Sequence, residues 1–384
     1  MDLHLTPEQE MIRQTAREFA DKELLPVAAH YDEAQQFPYE LWKKMGEMGF
    51  MGLMIPEEWG GAGADTLTYV LALEEIARGN PALSTVMSVN NSLTCYGIWK
   101  FGTQAQKEKY LVPLATGQKL GGYALTEPGS GSDAVKMKMT AESRGTNYYL
   151  NGSKMFITNG ESGHVYLVFA VTDRTTRSAN GITCFIVEKG MPGFKVGKKL
   201  DKLGMRASDT TELIFEDCEV PVENVLGKEN EGFKLAMQLL DGGRIGIAAQ
   251  ALGIAQAAYE FALKYANERE QFGHPIYNFQ AIQFMIADMA TRIEASRLLV
   301  HQAATLRDAG LPCGKEASMA KLFASETAMW VTTKAVQVYG GYGYIKEYPV
   351  ERYFRDAKVT EIYEGTSEVQ RLVIAKNLLR ELKG

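Results

Sequence analysis

The chain has 384 residues, 46% of them hydrophobic and 23% charged, with a formal net charge of −6. That length calls for two or three packed units rather than one small core, and the acidic balance, with no long run of one sign, argues against a nucleic-acid face or an interfacial basic helix. No apolar run reaches membrane-spanning length.

The chain opens on polar residues and enters a helix signal within six positions, with no signal or transit peptide in evidence, so a cytoplasmic protein, or a mature one of the mitochondrial matrix, is expected. Thr6-Pro7-Glu8-Gln9 reads as a helix start: Thr6 as N-cap, Pro7 in the first turn, Gln9 closing a capping box. Ile12, Ala16, Phe19 and Ala20 then form an apolar stripe, and helical spacing continues to residue 119, broken by the loop Glu57 to Gly63. After Gly121 the period changes. Tyr148 to Ile157 reads as two short strands around an Asn151-Gly152 hairpin turn, and Val165 to Val171, Ile182 to Val187 and Thr211 to Phe215 are further strand runs, so residues 120–227 are expected to form an antiparallel β-domain. From residue 228 helical spacing returns and holds to the end. The α+β order is thus a helical domain (1–119), a β-domain (120–227) and a second helical domain (228–384), with no repeats or low-complexity linkers between them. Cys95, Cys184, Cys218 and Cys313 lie far apart with no metal-ligand spacing, and buried free thiols are expected.

Some chemistries drop out for lack of a motif. There is no GxxxxGK[ST] phosphate loop, no HExxH, no GxSxG elbow and no GxGxxG following a strand. Two glycine clusters remain, Gly129-Ser130-Gly131-Ser132 and Gly340-Gly341-Tyr342-Gly343, each in isolation better explained as a turn than as a phosphate cradle. Their surroundings carry more. Tyr123 to Asp133 (YALTEPGSGSD) resembles the first signature of the acyl-CoA dehydrogenases, and Gln337, Gly340, Gly341, Gly343, Tyr344, Glu347, Arg352 and Asp356 fit the spacing of that family's C-terminal signature. Lys154 to Gly160, Arg269 to Gly273 and Tyr363 to Glu368 resemble three further family segments in the same order, and the short-chain, butyryl-CoA-like branch is the most similar.

The resemblance implies the family fold: an N-terminal helical domain, a middle β-domain and a C-terminal four-helix bundle, assembled as a homotetramer, with FAD extended between β-domain and bundle and its adenine end reaching a neighbouring subunit. It places Leu125, Thr126, Phe156, Ile157 and Thr158 around the flavin ring, where N–H groups and a hydroxyl would stabilise the reduced ring. Phe156 stands where many relatives carry Trp, keeping the aromatic cover without an indole N–H. Thr366 and Glu368 are implied to contact the cofactor as well. Arg269, Phe272, Gln280, Gln337 and Gly341 are implied to hold the pyrophosphate and adenosine, an arginine pairing with phosphate and a glycine admitting backbone N–H groups. Ser132, Asp241, Arg244, Tyr363 and Gly365 are implied for the acyl-CoA. No metal is expected.

Glu364 is the implied base. It precedes a helix capped by Thr366 or Ser367, where the dipole favours the carboxylate and closure over an apolar acyl chain would raise its pKa. On spacing alone a helix-end carboxylate would serve as well. Some relatives place the base one position before the arginine matched by Arg244; this chain has Gly243 there. The Glu364 N–H, with a ribityl hydroxyl, is implied to hold the thioester oxygen. The expected reaction converts a 2,3-saturated acyl-CoA to the trans-2-enoyl-CoA, with electrons passing to an electron-transfer flavoprotein. An acyl-CoA oxidase or flavin monooxygenase on the same fold, and a non-catalytic DNA-associated binder, are the competing readings; the net charge and Glu364 weigh against the binder. Val86 to Leu93 is expected near the acyl pocket, its two asparagines either facing a polar acyl group or solvated.

Overall fold

The computed structural model describes residues 4–176 and 179–383. Helix α1 (Pro7–Phe19) starts as the sequence predicts, with Thr6 and Gln9 exchanging both capping-box hydrogen bonds. Helix α2 (Thr66–Gly79) is capped by Asp65, and α3 (Pro81–Ser88) by Asn80, before the chain widens into a π-helical stretch at Val89–Cys95. Such π turns rotate the following residues relative to a regular helix and recur at functional sites.

The middle of the chain forms an eight-stranded sheet: β1 (Gly121–Ala124), β2 (Thr140–Arg144), β3 (Asn147–Thr158), β4 (Val165–Val171), β5 (Ile182–Glu188), β6 (Phe194–Lys199), β7 (Thr210–Pro221) and β8 (Val225–Leu226). Its order is β6-β7-β3-β2-β4-β5-β8, with β1 on β4. The sheet is mixed, not purely antiparallel: β1 runs parallel to β4, and β2 meets β4 in a single parallel pairing, Thr140 with Val171.

The expected Asn151-Gly152 hairpin is also absent. The turn between β2 and β3 falls at Gly145, whose φ of +69° supplies the left-handed residue. Asn151 and Gly152 lie inside a continuous β3, at a bulge against β7. Asn151 exchanges two hydrogen bonds with Asp217, which has φ +45°, and a Cβ on Gly152 would press on Met139 at 3.0 Å. Asn-Gly therefore serves a close backbone approach here instead of a reversal.

Helices α4 (Gly232–Glu268), α5 (Gln280–Asp308), α6 (Gly314–Tyr339), α7 (Val350–Thr360) and α8 (Ser367–Lys383) complete the chain. Alanines and glycines let the central α4 approach its neighbours closely; a Cβ on Gly253 would lie 2.2 Å from the Glu74 carbonyl of α2. One apolar core runs from the N-terminal helices through α4, α5 and α6, and a second joins the π-helical stretch to the sheet and the start of α4. At roughly 1.5–3 kcal/mol per buried large aliphatic side chain, these shared cores bind the three parts as one body. Cys95, Cys184 and Cys218 are buried free thiols, while Cys313 is half-buried.

Candidate active site

Glu364 sits in the three-residue link between the turn after α7 and the start of α8. Its backbone is left-handed (φ +52°) and so is that of Gly365 (φ +100°), a conformation that costs a non-glycine residue about 1 kcal/mol or more and that needs surrounding structure to hold it. Thr366 is the cap: its hydroxyl accepts from Val369 N at 3.3 Å. The Gln370 amide donates back to the carbonyls of Glu364 (3.3 Å) and Gly365 (2.9 Å), and Lys321 Nζ, from α6, donates to the same Gly365 carbonyl at 2.8 Å.

Held this way, the Glu364 side chain lies over α4 at Gly243. A Cβ built on Gly243 would fall 2.0 Å from Glu364 Oε2, so the carboxylate fills the space that any other residue at 243 would claim. Oε2 is buried and has no hydrogen-bond partner. Burial pushes the Glu364 pKa up to about 7, against the opposing charges of Lys321 and Arg244. A buried carboxylate without partners is expensive to ionise, and this one is poised near neutrality where a base is useful. The Glu364 N–H is itself free of intrachain hydrogen bonds among the described residues, as an oxyanion donor would be.

Asp241 and Arg244 lie one turn apart on the same helix and pair at 2.7 Å; Arg244 is buried and its Nε is unpartnered. Burial raises the Asp241 pKa despite Arg244 and Arg307. Tyr363 donates its hydroxyl to Gln250 Oε1, and Gln250 Nε2 in turn donates to Ser84 Oγ (2.8 Å), Thr85 Oγ1 (2.7 Å) and Pro81 O (3.0 Å). This hydrogen-bonded plug ties α4 to α3 beside Glu364. Asn90 and Asn91, by contrast, are neither solvated nor at an acyl group. Asn90 binds Met51 O, Leu114 O and Gly121 N, and Asn91 binds Phe50 O, Met87 O and Leu53 N; both amides satisfy buried backbone where loops meet.

The predicted flavin residues gather at one end of the sheet. Met155 N donates to Thr126 O at 2.8 Å, joining the turn after β1 to β3. Lys154, fully buried, donates to Leu125 O (3.0 Å) and Glu127 Oε1 (2.8 Å), and Glu127 also accepts from Lys138 N and Met139 N. Beside it β3 bulges against β7, and Phe156, with φ +60°, is 64% exposed while Ile157 is buried. A bulge that turns an aromatic ring outward at a strand end suits a planar ligand. Thr158 pairs with Thr210 at the end of β3. Ser132 is exposed on the loop after β1, and Glu368 is exposed in the first turn of α8.

The second predicted set lies elsewhere. Arg269, Phe272, Gln280, Gln337 and Gly341 surround the junctions at the far end of the bundle, where a cavity of about 430 Å³ is lined by Tyr265, Arg269, Ile276, Tyr339, Gly341 and Tyr342. Arg269 stacks 5.5 Å over the Tyr342 ring and makes no ion pair among the described residues; Phe272 is 89% exposed; nothing lies within 4 Å of a Cβ on Gly340 or Gly341. A free cation, an open glycine cradle and exposed aromatics fit an anionic, aromatic ligand. About 37 Å of α4, at roughly 1.5 Å per residue, separates Arg244 from Arg269. Of the second set, Arg269 and Gly341 line that cavity together, at the other end of α4 from Asp241 and Arg244.

Gln250 and Lys321 escape a motif-based reading, and the motif that includes Lys154 does not say what its side chain holds. Their signal is periodic: Lys154 shares the inward face of β3 with Tyr148 and Leu150, and Lys321 interrupts the alanine row Ala317, Ala320 and Ala324 of α6, so each is a lysine at a core position. No three-residue cluster suited to a metal occurs among the described residues, and none of their helices is long and apolar enough to cross a membrane.

Comparison with known proteins adds the following. The chain matches the acyl-CoA dehydrogenase N-terminal domain over residues 6–118, the middle domain over 122–218 and the C-terminal domain over 230–379. It is 54% identical to the short-chain specific acyl-CoA dehydrogenase of Clostridium acetobutylicum, covering 99% of this chain and 100% of that one. Butyryl-CoA dehydrogenase from Megasphaera elsdenii superposes with a TM-score of 0.97 at 49% identity, covering 99% and 100%. A solved chain from work on the electron transferring flavoprotein of Acidaminococcus fermentans and flavin-based electron bifurcation superposes with a TM-score of 0.98 at 55% identity, again over 99% and 100%.

Proposed function

We propose that this chain, which belongs to the acyl-CoA dehydrogenase family, converts a short saturated acyl-CoA to the trans-2-enoyl-CoA with Glu364 as the base. The observation that carries the reading is the Glu364 carboxylate: half-buried, with Oε2 buried and unpartnered among the described residues, lying over a glycine that leaves it room, and raised toward pH 7. Glu364 takes the α-proton of the bound thioester, and its own N–H donates to the carbonyl oxygen on which negative charge develops. FAD, when bound, supplies the acceptor for the β-hydride. Leu125, Thr126, Ile157 and Thr158 would present backbone and hydroxyl groups to the ring and Phe156 would cover it; the bulge of β3 against β7 and the outward aromatic support this assignment. Lys154 and Glu127 keep the Leu125–Glu127 turn in place for that contact.

Asp241, Arg244 and Ser132 are proposed to meet the CoA portion, and Tyr363 and Gly365 to flank the acyl group. The Tyr363–Gln250–Ser84–Thr85 plug supports a short acyl chain, because a longer one would have to break four hydrogen-bonded groups away from one another. Arg269 follows the end of α4 opposite to Gly243, over which Glu364 rests; Phe272 and Gln280 follow it in the chain, and Gln337 and Gly341 lie at the end of α6. They are proposed to complete the FAD site of a neighbouring subunit, in keeping with a homotetramer. The likeness to the chain from the Acidaminococcus fermentans work supports an electron transferring flavoprotein as the electron acceptor.

Anaerobic mixing of the yellow holoprotein with acyl-CoAs of graded length tests the reading by loss of flavin absorbance. Butyryl-CoA should reduce the flavin fastest; a protein that no acyl-CoA reduces would refute the assignment. Glu364→Gln should retain FAD and CoA-ligand binding and lose about 10²–10⁴-fold in reduction rate, the range of a removed general base.

A further inference from the structure

A lysine in the interior of a helical bundle needs a reason, since its charge is costly to bury and a methionine would pack as well. Lys321 is completely buried in α6 among Ala317, Ala320 and Ala324. Its Nζ makes one hydrogen bond among the described residues, to the carbonyl of Gly365, the residue that follows the base. It makes no ion pair with a carboxylate among the described residues.

The geometry around that bond is specific. Glu364 and Gly365 are both left-handed, so the direction of the Glu364 side chain depends on how the peptide after it is held. Two side chains from different helices converge on the Gly365 carbonyl: Lys321 Nζ at 2.8 Å from α6 and Gln370 Nε2 at 2.9 Å from α8. Gln370 also reaches the Glu364 carbonyl, so a neutral amide already satisfies the loop. What Lys321 adds is charge. The charged and titratable groups facing this pocket are Asp241 and Arg244 from α4, Arg307 from α5, Glu361 from the turn after α7, Glu368 from α8, Tyr69 from α2, Tyr123 from β1 and Tyr363 in the loop itself. Among them only Lys321 and Arg244 are cations that act on Glu364, and Arg244 is paired with Asp241.

We propose that Lys321 is a positioning residue for the base: it fixes the Gly365 carbonyl so that the Glu364 carboxylate rests over Gly243, and its charge favours the ionised carboxylate. The proposal rests on the reading of Glu364 as the base. It also accounts for a compromise in the two ionisations. Burial lowers Lys321 and raises Glu364, and the attraction between the two charges opposes both shifts.

The test uses the holoenzyme and butyryl-CoA, with anaerobic flavin reduction followed by stopped flow from about pH 6 to about pH 9. In the wild type the rate should climb as Glu364 ionises. Lys321→Met should move that ascending limb upward by about one pH unit and lower the rate at neutral pH about 10-fold, with a partial recovery at high pH. FAD content and binding of a CoA ligand should not change. Lys321→Arg should return the limb toward its wild-type position. A limb that stays in place in Lys321→Met, whether the rate is unchanged or falls equally at every pH, overturns the proposal in favour of a packing role. If Lys321→Met does not accumulate as folded holoenzyme, Lys321→Gln keeps a donor and loses the charge; it should show the same displacement, and an undisplaced limb there overturns the proposal equally. Wild-type and Glu364→Gln controls separate the two levels. Wild type that butyryl-CoA cannot reduce removes the proposed function, whereas a working wild type with an unmoved limb in the variants removes only the role of Lys321.

Discussion

Two glutamate–lysine neighbourhoods are buried in this chain, one in the sheet and one in the bundle, and they are put together differently. In the sheet, Lys154 Nζ touches Glu127 directly at 2.8 Å, and the same carboxylate collects the N–H groups of Lys138 and Met139. In the bundle, Lys321 turns its ammonium to a backbone carbonyl and leaves Glu364 with an unpartnered oxygen. Both lysines are lowered to about 8, chiefly by burial. The first arrangement commits both carboxylate oxygens to holding a turn in place. The second withholds contact from one carboxylate oxygen, which is what a group that must accept a proton requires.

That contrast breaks most visibly at Glu364. Glu364→Gln should cost about 10²–10⁴ in flavin reduction by butyryl-CoA while leaving the denaturation midpoint nearly where it was, because no bond to Oε2 is lost. Lys154→Met should do the reverse. It strands a buried carboxylate, so a stability loss of about 3–5 kcal/mol is expected in urea titration, with a weakened hold on FAD as the Leu125–Glu127 turn loosens. If the two variants produced the same profile, the distinction between a structural and a reactive glutamate would be lost. Gly243→Ala sharpens the comparison from the other side. Its Cβ would claim space 2.0 Å from Glu364 Oε2, and the base must move aside, so reduction should fall about 10-fold or more with FAD content retained. Smallest of all, Thr366→Ala removes the cap of α8 and should lower stability by about 1 kcal/mol, detectable in the urea midpoint and small in the rate.

Much of this was legible beforehand, and the exceptions have physical causes. The α–β–α order follows from hydrophobic period, and the capping box at Thr6 and the cap at Thr366 follow from local side-chain chemistry that distant parts of the chain cannot overrule. Glu364 and Gly243 were readable as complementary only through family resemblance, since spacing alone describes an ordinary carboxylate near a helix start. Asn151-Gly152 misled because the same dipeptide supports a tight turn and a bulge; which one forms is decided by Asp217, 66 residues further on. Asn90 and Asn91 misled because a polar residue in a helix does not announce whether its partner is a ligand or the buried backbone of another loop. Lys154 and Lys321 left a trace in the pattern, each a lysine at a core position, but what each one grips is settled by tertiary packing.

The overlap between the Glu364 carboxylate and the empty place above Gly243 also bears on how such a protein could change over generations. Position 243 cannot gain a side chain while 364 keeps its glutamate in place, and on the proposed reading 364 cannot lose its glutamate without silencing the reaction. A lineage moving its base from the loop to α4 would have to pass through a form with both carboxylates in collision or with neither present. The two positions are thus inherited as one character, and a substitution at either is interpretable only when the residue at the other is known.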